Sequence, residues 1–193
     1  MTDFFDTANN GSLLSLGAAA ALLLGWLLYR FIRGRSGGLE GTLAEISFDR
    51  FEGLIIPNAD EGEILVDYLL LTSKGLLILE VKDVQGTVFG GDKLKDWSVI
   101  TNERRFTFPN PQPALFDRIA AVRQIIRQVP VAGRILFLEG ADFPKGVPEL
   151  VTSLTELADE FGEPDKNAAK NKIEAFKPHW ELIRKEALNT SVP

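Results

Sequence analysis

An α/β domain layered around one central mixed sheet, behind a single membrane-crossing helix, is the fold this sequence predicts. Three observations carry it. An uncharged apolar run fills Leu13 to Tyr29, and two strand-like apolar runs flank Thr72-Ser73-Lys74-Gly75. After the Pro-rich stretch Pro109 to Pro113 the apolar residues recur at helical spacing. Helix, several strands, helix, strand, helix, in that order, calls for helices flanking a sheet.

The first run, extended by Phe31 and Ile32, approaches the ~20 residues that span a bilayer as a helix. A signal peptide would want basic residues ahead of it, and here Asp3 and Asp6 stand there instead. Arg30, Arg33 and Arg35 follow the run, which by the positive-inside rule sets the N-terminus outside and the rest in the cytoplasm. The expected organisation is an extracytoplasmic stub over 1–11, a transmembrane helix over 12–32, a linker over 33–38, the main domain over 39–162 and a helical extension over 163–193. The expected localisation is the inner or plasma membrane.

The absence of cysteine excludes disulfides and thiolate metal sites. From Ser36 onward 18 Lys and Arg face 25 Asp and Glu, a balance that excludes a protein coating nucleic acid indiscriminately. The charge is unevenly spread. Seven acidic residues and one Arg lie between Leu39 and Leu65, against six Arg and one Asp between Arg104 and Arg134.

Taken in order, Gly41 to Phe51 reads as a short helix and Gly53 to Pro57 as a brief strand. Ala59 to Gly62 is a turn, and Ile64 to Leu71 with Leu76 to Val81 form a hairpin. Gln85 to Phe89 extends the second strand or begins another. Trp97 to Ile100 and Arg105 to Phe108 make a further hairpin, in which Trp97 packs. Pro113 opens a helix to about Val129, with Leu115, Ile119, Val122, Ile126 and Val129 on one face. Ile135 to Leu138 suits the middle of a sheet. Glu149 to Phe161 reads as an amphipathic helix closed by Gly162, and helical runs lie on either side of Pro178.

The central hairpin carries the chemistry. Asp67, Glu80 and Lys82 interrupt an otherwise apolar stretch, and a buried charge needs a partner, hydrogen bonds or a metal. With Ser73-Lys74 as the turn, Asp67 faces Glu80; with Lys74-Gly75, it faces Lys82. In either register strict alternation puts all three on one face. A facing carboxylate pair repels unless a cation intervenes, and an oxygen-seeking ion such as Mg²⁺ answers that need. A sheet-edge ion pair with Lys82 answers it as well.

The order Asp67, Glu80-Val81-Lys82 resembles the D…E-x-K pattern of the restriction-endonuclease-like superfamily. The wider set resembles the nuclease-related domain (NERD) family: Val66-Asp67-Tyr68, Gly75, Glu80-Val81-Lys82, Gly86, Trp97 and Asn110-Pro111, with Ala44-Glu45 and Ile56-Pro57-Asn58 upstream. The family's aspartate is usually followed by His, where this chain has Tyr68, and its Asn-Pro-x-x-Gln ends here at Ala114, with Gln112 two positions early. The resemblance implies a restriction-endonuclease-like core. Asp67, Glu80 and the Val81 carbonyl would hold Mg²⁺ or Mn²⁺, Lys82 would position the nucleophilic water, and Glu45 would reach in from the first helix. Arg123 and Arg127, read as four apart on one helix side, are candidate phosphate contacts, and Gln112 is a candidate to orient the site or DNA.

The leading expectation is a membrane-anchored, divalent-metal-dependent nuclease hydrolysing DNA on the cytoplasmic side. The alternative is a binding or scaffold module of the same fold with little or no activity. The lone His179 is expected to pack or lie at the surface, without a catalytic part.

Overall fold

The computed structural model describes residues 38–57, 62–163 and 165–190. The expected stub, membrane helix and nearly all of the linker lie outside these residues, as does most of the turn expected at 59–62. Among the described residues no helix is long and apolar enough to cross a membrane.

The elements run α1 (Gly38–Ile46), β1 (Asp49–Pro57), β2 (Glu63–Thr72), β3 (Gly75–Lys82), β4 (Gly86–Phe89), β5 (Asp96–Ile100) and β6 (Arg105–Pro109). They continue with α2 (Pro111–Ile125), β7 (Val131–Phe137), β8 (Ala141–Asp142), β9 (Val151–Thr152), α3 (Leu154–Phe161) and α4 (Lys166–Thr190). The strands form two mixed sheets flanked by helices, not the single sheet the sequence suggested: β1-β2-β3-β7-β9, and β6-β5-β4-β8. The second sheet arises because the chain leaves β3 after Lys82. Gly86, at φ +124, donates its N–H to the Gly140 carbonyl at 2.8 Å, and β4 then pairs with β5 and β8. A side chain at Gly86 would collide with the Ile100 carbonyl, so the departure needs glycine.

In the first sheet β1, β2 and β3 are antiparallel, and β7 lies parallel between β3 and β9. Ile135 and Leu136 are thus buried inside the sheet, as their unbroken apolar run suggested. Leu76 and Ile78 of β3 point into a core shared with Leu115, Ile119 and Val122 of α2 and with Val88, Trp97 and Val99 of the second sheet. Leu77 and Leu79 point the other way, onto Leu43 and Ile46 of α1 and Leu157 and Phe161 of α3. The alternation along β3 therefore supplies two cores from one strand.

Helix α2 starts at an Asn110 cap, whose side chain accepts from the Gln112 N–H at 2.9 Å, with Pro111 in the first turn. It ends at Ile125, short of the expected Val129. Ile126 is already extended, and Val129 precedes Pro130, which disfavours the helical region. The helix beds closely on the sheet because β7 presents Gly133 beneath it. A Cβ there would lie 2.7 Å from Ile119 Cδ1 and 2.9 Å from Leu115 Cδ1.

Three other expectations shift. Phe51 belongs to β1, since α1 stops at Ile46. Val151 and Thr152 pair with β7, so α3 begins only at Leu154, behind a Ser153–Glu156 capping box. Finally, α4 continues through Pro178 as one helix. Its stripe Ala169, Ile173, Trp180, Ile183 and Ala187 is buried, and Trp180 stacks on Phe51 at 4.5 Å while donating from Nε1 to Asp49 Oδ2 at 2.8 Å. Burial along that stripe outweighs the hydrogen bond the proline removes.

Candidate active site

The hairpin takes the first of the two anticipated registers, with Ser73-Lys74 as the turn. Thr72 pairs with Gly75 and Tyr68 with Leu79, and the paired register ends there, one position short of Asp67 and Glu80. The Thr72 hydroxyl fixes the turn, donating to the Gly75 carbonyl at 2.9 Å and accepting from the Lys74 N–H at 3.1 Å. Gly75 sits at φ +119 with the Pro130 carbonyl 2.3 Å from where a Cβ would be, so no other residue fits.

At Asp67 the sheet is disturbed. The β1–β2 ladder pairs Glu52 with Tyr68 and Leu54 with Val66 but skips the pair between them, Gly53 and Asp67, and Gly53 is at φ +62. Ile64 and Val66 pack in the same core as Leu69 and Leu71, so strict alternation fails between Val66 and Leu69. Asp67 thus stands where β2 is released from regular pairing on both sides. Its Oδ2 accepts a long hydrogen bond, 3.4 Å, from the Val81 N–H. Tyr68, the departure from the usual His, packs on the α1 side of the sheet. Burial pushes its phenol above the ordinary range, with Glu52 and Glu40 adding to the effect.

Glu80 is only 5% exposed, an unusual state for a carboxylate. Two cations compensate it. Lys82 Nζ lies 2.6 Å from Oε1, and Arg118 Nη1 lies 3.3 Å from Oε2. Arg118 reaches over from α2 and also donates from Nε to the Leu65 carbonyl at 2.8 Å. The sequence reading missed Arg118. The signal was available: Arg118 lies three residues after Leu115, on the border of the buried stripe that faces the charged end of β3.

The other candidates lie on α1 and on and around α2. Glu45 is half-buried on α1, whose Leu43 and Ile46 pack beneath the opposite face of β3. Among the described residues no group of three or more Asp, Glu or His side chains could hold a metal ion together, so Asp67 and Glu80 stand as a pair. Arg127 lies beyond the end of α2 and does not share a helix side with Arg123. Arg123 Nη2 donates to the Val131 carbonyl at 3.0 Å, and Val131 pairs with Leu76 at the start of β3. Four residues of strand, about 13 Å, separate that point from Glu80.

Gln112 is buried, and its side chain holds a loop. Nε2 donates to Asp92 Oδ1 at 2.8 Å, while Asn110 Nδ2 donates to the Leu94 carbonyl at 2.9 Å. The Gln112 amide, and after it the Glu149 N–H, hold the Asp92 carboxyl below its usual range. Trp97 is fully buried, with Nε1 on the Gly91 carbonyl and its ring among Phe108, Phe137 and Phe143, so it packs as expected. His179 is half-buried on α4.

Asp67 and Glu80 offer only oxygen to a cation, and the Val81 main chain lies beside Asp67 through its N–H. That set suits a hard cation such as Mg²⁺, which commonly takes one or two carboxylates and completes its shell with water and phosphate. A cleft of about 530 Å³ adjoins the end of β3, lined by Asp83, Gln85, Thr101, Asn102 and Arg104 among others.

No curated protein and no solved structure gives a significant match to this chain. A family model described as "Nuclease-related domain" matches residues 39–138, a span that runs from α1 to just past β7 and includes Asp67, Glu80, Lys82 and Arg118. With just over half of its length matched, the chain belongs to the nuclease-related domain family.

Proposed function

We propose that this protein is a divalent-metal-dependent nuclease that hydrolyses phosphodiester bonds of DNA. The observation that carries the reading is Glu80: a buried carboxylate at the end of the β2–β3 ladder, with Asp67 on the Val81 N–H beside it and Lys82 two residues on. Such a constellation costs stability relative to an apolar packing, and a catalytic role accounts for its presence. Asp67, Glu80 and the Val81 carbonyl would hold Mg²⁺ or Mn²⁺, which supplies charge stabilisation to the phosphate oxygens. Lys82, with a side chain 30% exposed, orients the attacking water. The water oxygen bonds to phosphorus, the ester P–O bond breaks, and the leaving oxygen takes up a proton. Glu45 on α1 would assist as an outer ligand or water holder, and Arg123, Arg127 and Gln112 would contact DNA away from the metal.

A second reading has its own support. Both Glu80 oxygens are engaged by cations of the same chain, an arrangement that also suits an inactive binding module. Incubating the purified full chain with plasmid, single-stranded DNA and RNA, with Mg²⁺, Mn²⁺ or chelator, separates the two. Metal-dependent cutting that disappears in Lys82→Ala supports the nuclease. A folded wild type that cuts nothing supports the binding module.

The apolar run Leu13 to Tyr29 and the arginines after it support a single-pass anchor with the domain on the cytoplasmic side. Protease accessibility in intact and permeabilised spheroplasts tests that orientation. Digestion of the domain in intact spheroplasts would refute it.

A further inference from the structure

Arg118 has no part in the chemistry above, yet it is built into the site. Its Nε is fixed on the Leu65 carbonyl at 2.8 Å, its Nη1 touches Glu80 Oε2, and its side chain is only 20% exposed. Among the described residues Nη2 has no partner. Glu80, at 7% side-chain exposure, needs a counter-charge whether or not a metal is bound. Of the two cations present, Lys82 makes the shorter contact, at 2.6 Å against 3.3 Å for Arg118. Arg118 is also the one with a second anchor outside Glu80. A cation arriving at Glu80 Oε2 would therefore displace Arg118 before Lys82.

We infer that Arg118 is a positioning residue with two stations. It neutralises Glu80 while no divalent cation is bound. When one binds, it releases Oε2 and, still held at Leu65, turns its guanidinium fork to the phosphate beside the scissile bond. A planar fork with free donors suits that second station. This inference rests on the metal-dependent reading of the same pair.

The test uses the purified full chain with Arg118→Gln and Arg118→Lys, titrated with Mn²⁺ by calorimetry and melted with and without the ion. If Arg118 competes for Glu80, Arg118→Gln binds Mn²⁺ at least about fivefold more tightly, melts lower without metal, and gains more from Mn²⁺ than wild type does. Arg118→Lys keeps the competing charge, so its Mn²⁺ affinity stays within about twofold, while its KM for DNA rises because the fork is lost. A merely structural arginine gives lower melting temperatures with Mn²⁺ affinity unchanged or weakened, which overturns the inference. Should Arg118→Gln not fold, an unchanged KM in Arg118→Lys overturns it alone. A wild type that binds no Mn²⁺ overturns the metal reading itself. A wild type that binds and cuts, beside an Arg118→Gln that binds no tighter, overturns only the inference.

Discussion

Glu80 and Glu160 are both carboxylates held by an arginine, and they flank the same sheet. Arg134, the partner of Glu160, sits on β7 directly beside Leu79, one position from Ile135, which lies beside Glu80. The outer pair has the better geometry, since Arg134 meets both oxygens of Glu160 as a fork and covers the Phe161 ring. Yet Glu160 is 38% exposed, where the Glu80 side chain is 7% exposed and held by two separate cations. Good geometry at the surface yields little stability, because water solvates either partner well when alone. Poorer geometry in the interior matters more, because nothing else can compensate what is left. The difference teaches that the strength of a pair here follows its surroundings more than its contact distances.

The comparison breaks most visibly at Glu80. Glu80→Ala leaves Lys82 and Arg118 facing each other and should cost about 3–5 kcal/mol in urea unfolding. Replacing all three together (Glu80→Leu, Lys82→Met, Arg118→Met) should recover most of that loss while abolishing cleavage. A triple variant as unstable as the single would mean the charges hold the fold. Lys82→Ala comes next, with a loss of roughly 10²–10⁴-fold in cleavage rate and a smaller change in stability, read from single-turnover assays beside melting curves. Arg134→Ala should cost about 0.2–1 kcal/mol and leave cleavage unchanged. A loss as large as that of Glu80→Ala would erase the contrast between the two pairs.

The smallest expected effect is a slope against pH. Asp92 is more exposed than Glu160, but its carboxyl is held below the ordinary value of 3.8, chiefly by the Gln112 amide. A depressed folded value means that the stabilisation is present above that ordinary value and fades as pH falls through the lower, folded one. Asp92→Asn should flatten the stability profile in that acid window only, measured as unfolding midpoint from pH 6 to 2. A flattening near neutrality would assign the effect to another group.

The strands around the turn at Ser73-Lys74 were legible because apolar runs bounded by Thr, Ser and Gly leave few alternatives. The family resemblance was legible from the order of Asp67, Glu80-Val81-Lys82 and Asn110-Pro111. The second sheet was not, because β4 is only four residues long and its partner β8 only two, too short to show a period. The sequence around Val151-Thr152 reads as easily as helix, and only pairing with β7 decides it. Arg118 escaped although its place three residues after Leu115, at the border of the buried stripe of α2, was there to be read. The pairing of Arg123 with Arg127 on one helix side fails because helical spacing was extended past Ile125, where Ile126 already turns away.

Gly133 has a consequence that reaches beyond packing. It is a clearance set by a missing methyl group: Leu115 and Ile119 settle into that gap, and Arg118 rides on the same turn of helix between them. Arg118 meets Glu80 at 3.3 Å, close to the outer limit for such a bond, so there is little slack. An alanine at 133 would press on the ends of the Leu115 and Ile119 side chains, which must give way on either side of Arg118. The smallest residue on a neighbouring strand thus acts as a shim beneath the turn of α2 that carries Arg118 to the charged end of β3.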